Sequence, residues 1–310
     1  MHQNKKTSSN TDVYQEVTNR IIKLLEEGTI PWTQLFKTSE YGFAQNYFTK
    51  HRYTGINWFL LNFLTDYEVP YYLTWKQIQK QGGTIIKGSQ AERIYYVNFY
   101  YTDKDGNKLS PEQVRNAEQN NIPVKKHPYL RRYNVFNITC IEGIEWEKPS
   151  LEKQEIRPIQ RCEALLDAME ETPKIQFIDE GQAYYFPRLD LVNMPKLQQF
   201  AQHGAEAYYR VLFHELIHWT GHESRLARKG IILGQGKDEV IYAEEELLAE
   251  LGACMLSSLT NIQEENLLQN SAAYLQSWLN CMKEDKRFIF RVAPQAELAV
   301  KYILGDEYKA

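Results

Sequence analysis

The sequence predicts an α+β protein in two parts, a mixed α/β first half and a mostly helical second half that carries a small sheet. Three observations predict it. At 310 residues and roughly 150 residues per domain, the chain has room for two domains that each bury a core. Short runs of β-branched and aromatic residues, bounded by Gly, Pro and Asn, recur between Thr84 and Cys140 and again between Lys174 and Asn193. Past Pro195 the apolar residues follow a helical period.

Residues 1–10 are polar and read as a disordered tail. Asp12 is placed to cap a first helix whose apolar positions Val13, Val17, Ile21, Ile22, Leu24 and Leu25 form one stripe, and Gly28 ends it. After a turn at Ile30-Pro31-Trp32, a loop-like stretch interleaves aromatic and basic side chains: Phe36, Tyr41, Phe43, Tyr47, Phe48, Lys50, His51, Arg52 and Tyr53. Gly55-Ile56-Asn57 opens a second helix that runs through Leu64, and Thr74 caps a third from Trp75 to Gln81. Gly82-Gly83 breaks that helix before strands at Thr84–Lys87 and Arg93–Tyr101. Residues 103–127 are polar, with a turn at Asp105-Gly106-Asn107, and read as an insertion or mobile loop before a return strand from Arg132 to Cys140.

The stretch from Glu145 to Pro158 is charged, holds two prolines and shows no apolar period, which is the composition of a linker. The expected division is therefore a tail over 1–10, a first domain over 11–144, the linker over 145–158 and a second domain over 159–310. A helix from Arg161 to Glu170 opens the second domain, strands follow at Lys174–Ile178, Gln182–Phe186 and Leu189–Asn193, and helices complete it.

With 43% hydrophobic and 25% charged residues the chain is not a disordered one. It has no apolar run of membrane-spanning length, and its first twenty residues lack the apolar stretch of a secretory signal, so a soluble, cytoplasmic protein is expected. Its four cysteines, Cys140, Cys162, Cys254 and Cys281, are scattered without a C-x-x-C pair, which points away from a disulfide framework or a cysteine metal site.

The net charge of −4 conceals an asymmetry: residues 1–135 carry 18 Lys+Arg against 12 Asp+Glu, and the remainder 18 against 28. The basic part also holds 22 of the 40 Phe, Trp and Tyr. Cations that track phosphates and flat rings that stack on unpaired bases make up a single-stranded nucleic acid groove. The same composition suits an aromatic core under a solvated basic face. Within the loop-like stretch, Tyr47, Phe48, Lys50, Arg52 and Tyr53 are the candidates for strand contact.

The sharpest motif is His214-Glu215-Leu216-Ile217-His218, inside an apolar helical stretch from Tyr208 to Trp219. Residues four apart share a helix face, so both imidazoles can converge on one ion while Glu215 reaches a water beside it, the arrangement of zinc-assisted hydrolysis. A third ligand has two possible sources. Continuation as H-E-x-x-H-x-x-G-x-x-H fails, because Gly221 is in place but the last position holds Ser224. The alternative is a glutamate of the following acidic helix, and Glu246 is favoured because Glu250 lies one turn on, as a ligand and a supporting carboxylate would. Glu244 and Glu245 then form the solvated side. Tyr184, Tyr242 and His222 are candidates for the cleft or for stabilising an oxyanion, by nearness to these elements.

Further motifs run along the whole chain. In the first half they are Tyr14 with Val17, Gly28 with Pro31-Trp32, Tyr53-x-Gly55-Ile56-Asn57, Leu73-Thr74-Trp75-Lys76-Gln77, and Gly82-Gly83 with Lys87-Gly88. In the second they are Ala183-Tyr184-Tyr185, Met194-Pro195, Tyr208-Tyr209, the run from His214 to His222, Ser224-Arg225-Leu226, Tyr242-Ala243-x-Glu245-Glu246-Leu247 and Ala249-Glu250-Leu251-Gly252. Ala273-Tyr274, Ser277-Trp278-Leu279, Asp285-Lys286-Arg287 and Phe290-Arg291 close the series.

This ordered set resembles the ArdC family of antirestriction proteins, carried by conjugative plasmids and transposons. The resemblance implies an N-terminal domain that binds single-stranded DNA without strong sequence preference, and a zincin-like metallopeptidase domain with one zinc per chain held by His214, His218 and Glu246. It adds Trp32, Asn57, Trp75, Lys76 and Lys87 to the candidate DNA contacts. The implied role is protection of incoming DNA from host restriction. Alternatives are a DNA-coating protein whose zinc site is structural or vestigial, and a regulatory protease that cleaves a repressor or a restriction subunit. The chain departs from the family in its 103–127 insertion and in Gly236-Lys237-Asp238.

Overall fold

The computed structural model describes residues 12–33, 41–67, 69–146, 157–178, 181–233, 238–262 and 271–305. The expected tail, Phe36, most of the expected linker and Gly236-Lys237 lie outside them.

In the first half, helix α1 (Val13–Glu26) is capped by Asp12, which accepts from the Tyr14 N–H, and it buries Val17, Ile21 and Leu25 as its stripe predicts. Helix α2 (Ile56–Phe63) follows Gly55, and α3 (Trp75–Lys80) starts in a capping box between Thr74 and Gln77. The main sheet has the order β1-β2-β6-β4-β5, with β1 Gln45–Asn46, β2 Tyr71–Thr74, β4 Glu92–Thr102, β5 Lys108–Leu109 and β6 Lys125–Asn137. A separate pair joins β3 (Thr84–Ile85) to β7 (Ile141–Glu142).

The stretch 103–127 differs from its sequence reading. It is not a mobile loop: Ser110 and Gln113 form a capping box around Pro111, starting helix α4 (Pro111–Gln119), and Val114 and Ala117 are buried. The return strand also begins earlier than expected. β4 and β6 pair antiparallel without interruption from Glu92 opposite Val135 to Thr102 opposite Lys125. β2 meets β6 only at Val135 to Asn137, so the outer part of β6 is a sheet edge among the described residues.

In the second half, α5 (Pro158–Asp167) leads to a three-stranded sheet of order β8-β10-β9. There β10 (Leu191–Pro195) runs parallel to β8 (Lys174–Ile178) and antiparallel to β9 (Tyr184–Phe186), which forms an edge. Among the described residues five helices follow: α6 (Ala205–Thr220), α7 (Lys229–Ile232), α8 (Glu239–Thr260), α9 (Ser271–Glu284) and α10 (Phe288–Leu304). No helix of the described residues is long and apolar enough to cross a membrane.

Among the described residues the first half buries three small apolar clusters of its own, and a larger one is shared by both halves. One apolar cluster contains Val17, Ile21, Trp32, Phe59 and Phe63 of the first half together with Trp278, Met282, Phe288 and Val292 of the second. The Trp32 and Trp278 rings meet edge to face at 5.8 Å. Thr18 Oγ1 donates to the Lys286 carbonyl at 2.9 Å. At Gly55 the backbone φ is +62°, which a side chain resists, and its N–H donates to the buried Glu297 carboxylate of α10 at 2.5 Å.

Candidate metal centre and nucleic-acid surface

Helices α6 and α8 bring the metal-binding candidates together, and one glycine makes this possible. A Cβ on Gly252 would lie 2.5 Å from Ile217 Cδ1, so only glycine lets the helices pack this closely. Asp238, part of the departure from the family pattern, caps α8 by accepting from the N–H groups of Val240 and Ile241.

One ligand atom from each of His214, His218 and Glu246 falls within a mutual 4.8 Å. The two Nε2 atoms are 3.1 Å apart, and Glu246 oxygens lie 3.6 Å from that of His214 and 3.7 Å from that of His218. On its far side His218 donates from Nδ1 to Glu245 Oε1 at 3.1 Å, and Nδ1 of His214 faces Glu250 Oε2 at 3.8 Å. Carboxylates behind both rings favour protons on the Nδ1 atoms, which turns the Nε2 lone pairs toward each other. Two lone pairs at this distance repel unless a metal ion or a proton lies between them. Four-coordinate zinc with bonds near 2.0–2.1 Å spaces its ligand atoms by about 3.3 Å, so the donors present fit a divalent metal.

Sequence reasoning placed Glu245 on the solvated side of α8, and the structure corrects this. Glu245 is only 6% exposed. It accepts from His218 and from Arg228, whose Nη2 lies 2.8 Å away. Arg228 also donates to the Ile217 carbonyl and to Thr220 Oγ1, tying the residues after α6 back onto its last turn. Burial alone would raise the Glu245 pKa, but Arg228 and His218 outweigh it and hold the carboxyl down at about 2. The mirror effect acts on His218: burial disfavours its charge, yet the Glu245 hydrogen bond and the charges of Glu246, Glu245 and Glu215 push it up to about 9. Glu244, by contrast, is at the surface with Arg291.

Glu250 belongs to a second network that the sequence did not reveal. Arg210 Nη2 lies 2.6 Å from its Oε1 and 3.4 Å from Cys254 Sγ. Burial opposes the Glu250 charge, and Arg210 with His214 holds its pKa below the usual carboxylate range. Glu246 is likewise lowered against burial, through His214 and His218.

The donors open into a cleft of about 740 Å³ lined by β9 with its flanking residues, His214, Glu215, His218, Ile231 to Leu233, Tyr242, Glu246 and Tyr274. Glu215 is 7% exposed, yet among the described residues nothing hydrogen-bonds its carboxylate. Tyr184 and Tyr242 line the cleft. His222 does not: after Gly221 the chain turns away, and His222 Nδ1 pairs with Ser224 Oγ at 2.8 Å. Tyr274, unnoticed in the sequence analysis as a cleft residue, shares a 3.0 Å hydrogen bond with the Tyr242 hydroxyl. Burial first, then each other and Glu246, acts on the two phenols, and both pKa values are raised, so both stay neutral donors.

The wall opposite α6 is also fixed. Tyr185 of β9 donates to Asp190 Oδ1 at 2.8 Å, Arg225 pairs with Asp190, and the Arg225 guanidinium lies 4.1 Å over the Trp219 ring. This chain of contacts holds the edge strand against the end of α6.

The candidate DNA contacts divide. Trp32, Tyr53 and Asn57 lie in the interior: Trp32 packs on Phe59 and Trp278, Tyr53 on Tyr72, and Asn57 exchanges hydrogen bonds with the Tyr95 backbone. No base could reach their faces, so they are corrected to core residues. At the surface, Phe48 is 38% and Trp75 47% exposed, and Lys50, Lys76 and Lys87 are exposed. Tyr47 and Arg52 are half-buried; Lys50 lies 4.4 Å over the Tyr47 ring and Arg52 5.4 Å over Phe43. A reciprocal amide pair between Asn46 and Gln77 joins this loop to α3.

Comparison with known proteins agrees with this layout. The family described as the N-terminal domain of anti-restriction factor ArdC matches residues 11–136, and the family described as zincin-like metallopeptidase matches 160–295. Crystal structures of the antirestriction protein ArdC from plasmid R388, metal-free and Mn(II)-bound, superpose with TM-scores of 0.71 and 0.70 at 31% and 32% identity. Each covers 96% of this chain and 98% of its own. A DNA primase TraC of Escherichia coli is 32% identical over 96% of this chain, which spans only 27% of that protein. The uncharacterized protein y4eC of Sinorhizobium fredii is 29% identical over 97% of this chain and 94% of its own length.

Proposed function

The chain belongs to the ArdC family of antirestriction proteins, and we propose that it is a metal-dependent peptidase whose N-terminal half holds single-stranded DNA. The observation that carries the peptidase reading is Glu215: a buried carboxylate without a hydrogen-bond partner among the described residues, facing a cleft beside three convergent donors. A purely structural metal site has four protein ligands and no use for such a group.

His214, His218 and Glu246 would hold the metal, for which we propose zinc on the strength of two imidazoles and one carboxylate. When bound, the metal would supply Lewis-acid polarisation of a substrate carbonyl and a lowered pKa for water. Glu215 takes a proton from the attacking water and later delivers it to the leaving amine. Tyr242 and Tyr274, as neutral donors on the cleft wall, and Tyr184 opposite them can hydrogen-bond developing negative charge. The free edge of β9 can pair with an extended peptide backbone, which favours a polypeptide substrate.

The DNA reading rests on the exposed Phe48 and Trp75 rings and the exposed Lys50, Lys76 and Lys87 of the same half, since stacking and phosphate neutralisation need both residue types. On this reading the protein protects entering DNA in the cytoplasm, with residues 11–144 and 159–310 as its two functional parts.

A peptide-library digest read by mass spectrometry tests the chemistry, with zinc and manganese in separate arms and with or without single-stranded DNA. Wild type should cleave, while Glu215→Gln should keep its metal and lose cleavage. Equal cleavage by both proteins rejects the role of Glu215, and no cleavage by either leaves a DNA-coating protein.

A further inference from the structure

We propose that the outer face of the β4–β6 ribbon is a second contact surface for single-stranded DNA, one that carries the strand away from the loop at 44–53. This rests on the reading of the N-terminal half as a DNA holder.

Strand register defines the face. Tyr96 stands opposite Arg131, Asn98 opposite Tyr129, Tyr100 opposite His127 and Thr102 opposite Lys125, and these pairs all project to one side. Toward the body of the protein the same side continues through Ile94 and Tyr133 into the cluster of Ala44, Tyr53, Tyr72 and Val135. The face therefore starts beneath the loop that presents Phe48 and Lys50. Its other side is tied to the fold near the body, where Arg93 and Arg132 pair with Glu16 of α1, while farther out Val97 and Phe99 are exposed and Lys126 lies 3.9 Å over the Phe99 ring.

Along this outer face the rings form a row. Tyr96 meets Tyr133 at 5.8 Å, Tyr100 stacks on His127 at 4.8 Å, and Tyr129 lies 6.1 Å from Tyr100. Tyr96, Tyr100 and Tyr129 are exposed. Same-face residues on a strand repeat about every 6.8 Å, so the row offers successive flat platforms of the kind sheet domains use to stack bases. Cations accompany it: Arg131 over Tyr133 at 5.1 Å, Lys108 over Tyr100 at 5.3 Å, and Lys125 at the tip. Residues 93–102 and 125–137 hold no Asp or Glu, and of their five Lys and Arg, Lys125 and Arg131 lie on this face. A polyanion with apolar faces is the complementary partner. A protein strand adding to the free edge of β6 is disfavoured, because Lys125, Lys126, Pro128, Arg131 and Arg132 occupy that edge.

The test uses the full chain, with labelled oligo(dT) and a duplex read by fluorescence anisotropy across salt concentrations. Tyr100→Ala with Tyr129→Ala should weaken oligo(dT) binding about tenfold or more with an unchanged salt slope, while Tyr100→Phe with Tyr129→Phe should bind as wild type. Lys125→Ala with Arg131→Ala should flatten the plot of log affinity against log salt by about 1.4. The last two variants keep the test decisive if circular dichroism shows the alanine pair misfolded. Wild-type binding and slope in the alanine and the cation variants overturn the ribbon surface while leaving the DNA reading of the half intact. A change in oligomeric mass without a change in DNA affinity overturns it in favour of a protein contact. Failure of wild type itself to bind oligo(dT) removes both.

Discussion

Arg228 and Arg131 occupy opposite surroundings in this chain. Arg228, between α6 and α8, is buried, and its guanidinium reaches Glu245, Thr220 and two backbone carbonyls. Arg131, on the ribbon, is exposed, and its guanidinium lies over the Tyr133 ring. The contrast extends to their regions. Around the candidate metal centre each carboxylate that faces a histidine from behind is backed by an arginine, Glu245 by Arg228 and Glu250 by Arg210. On the outer ribbon Arg131 and Lys126 rest on aromatic rings instead. Buried pairs fix positions because leaving either charge alone is costly, whereas a cation on a surface ring is free to exchange the ring for a phosphate.

The largest expected effect comes from breaking the buried side of this contrast. Arg228→Ala should cost about 3–5 kcal/mol in denaturant unfolding, since it strands the Glu245 charge and frees the turn after α6. A loss below about 1 kcal/mol would mean that packing, not the charge pair, holds the centre. An intermediate effect is expected at Glu250→Ala, which should weaken metal affinity about ten- to a hundredfold in competition with a chelator while leaving His214, His218 and Glu246 in place. If Glu250→Ala loses the metal outright, its carboxylate ligates directly. The smallest effect belongs to the ribbon: Arg131→Ala should change unfolding free energy by no more than about 0.5 kcal/mol. A penalty matching that of Arg228→Ala would erase the distinction between the two regions.

How much of this was readable beforehand depended on periodicity. The convergence of His214, His218 and Glu246 follows from spacings of four on one helix and an acidic helix after it. The burial of Glu245 does not, because three consecutive glutamates span most of a helix circumference and only the docking angle of α8 on α6 decides which ones face inward. Arg228 was hidden for a related reason, as its contacts exist only once the turn after Gly221 folds back. The helix at 111–119 was legible and overlooked: Ser110, Pro111 and Gln113 spell a helix start within a polar segment. Tyr53 shows the limit of counting aromatics, and Trp32 and Asn57 the limit of reading motif residues as contacts, since neither separates a core residue from a surface one.

The interlock of Trp32 with Trp278, and of Gly55 with Glu297, bears on how such chains are inherited. Two domains on a tether can be exchanged by recombination in the linker, each bringing its own stability. Here a crossover between the halves would join surfaces that had never been matched, leaving two tryptophans and a buried carboxylate without their counterparts. The Escherichia coli primase TraC aligns with both halves together, over 96% of this chain and 27% of its own length.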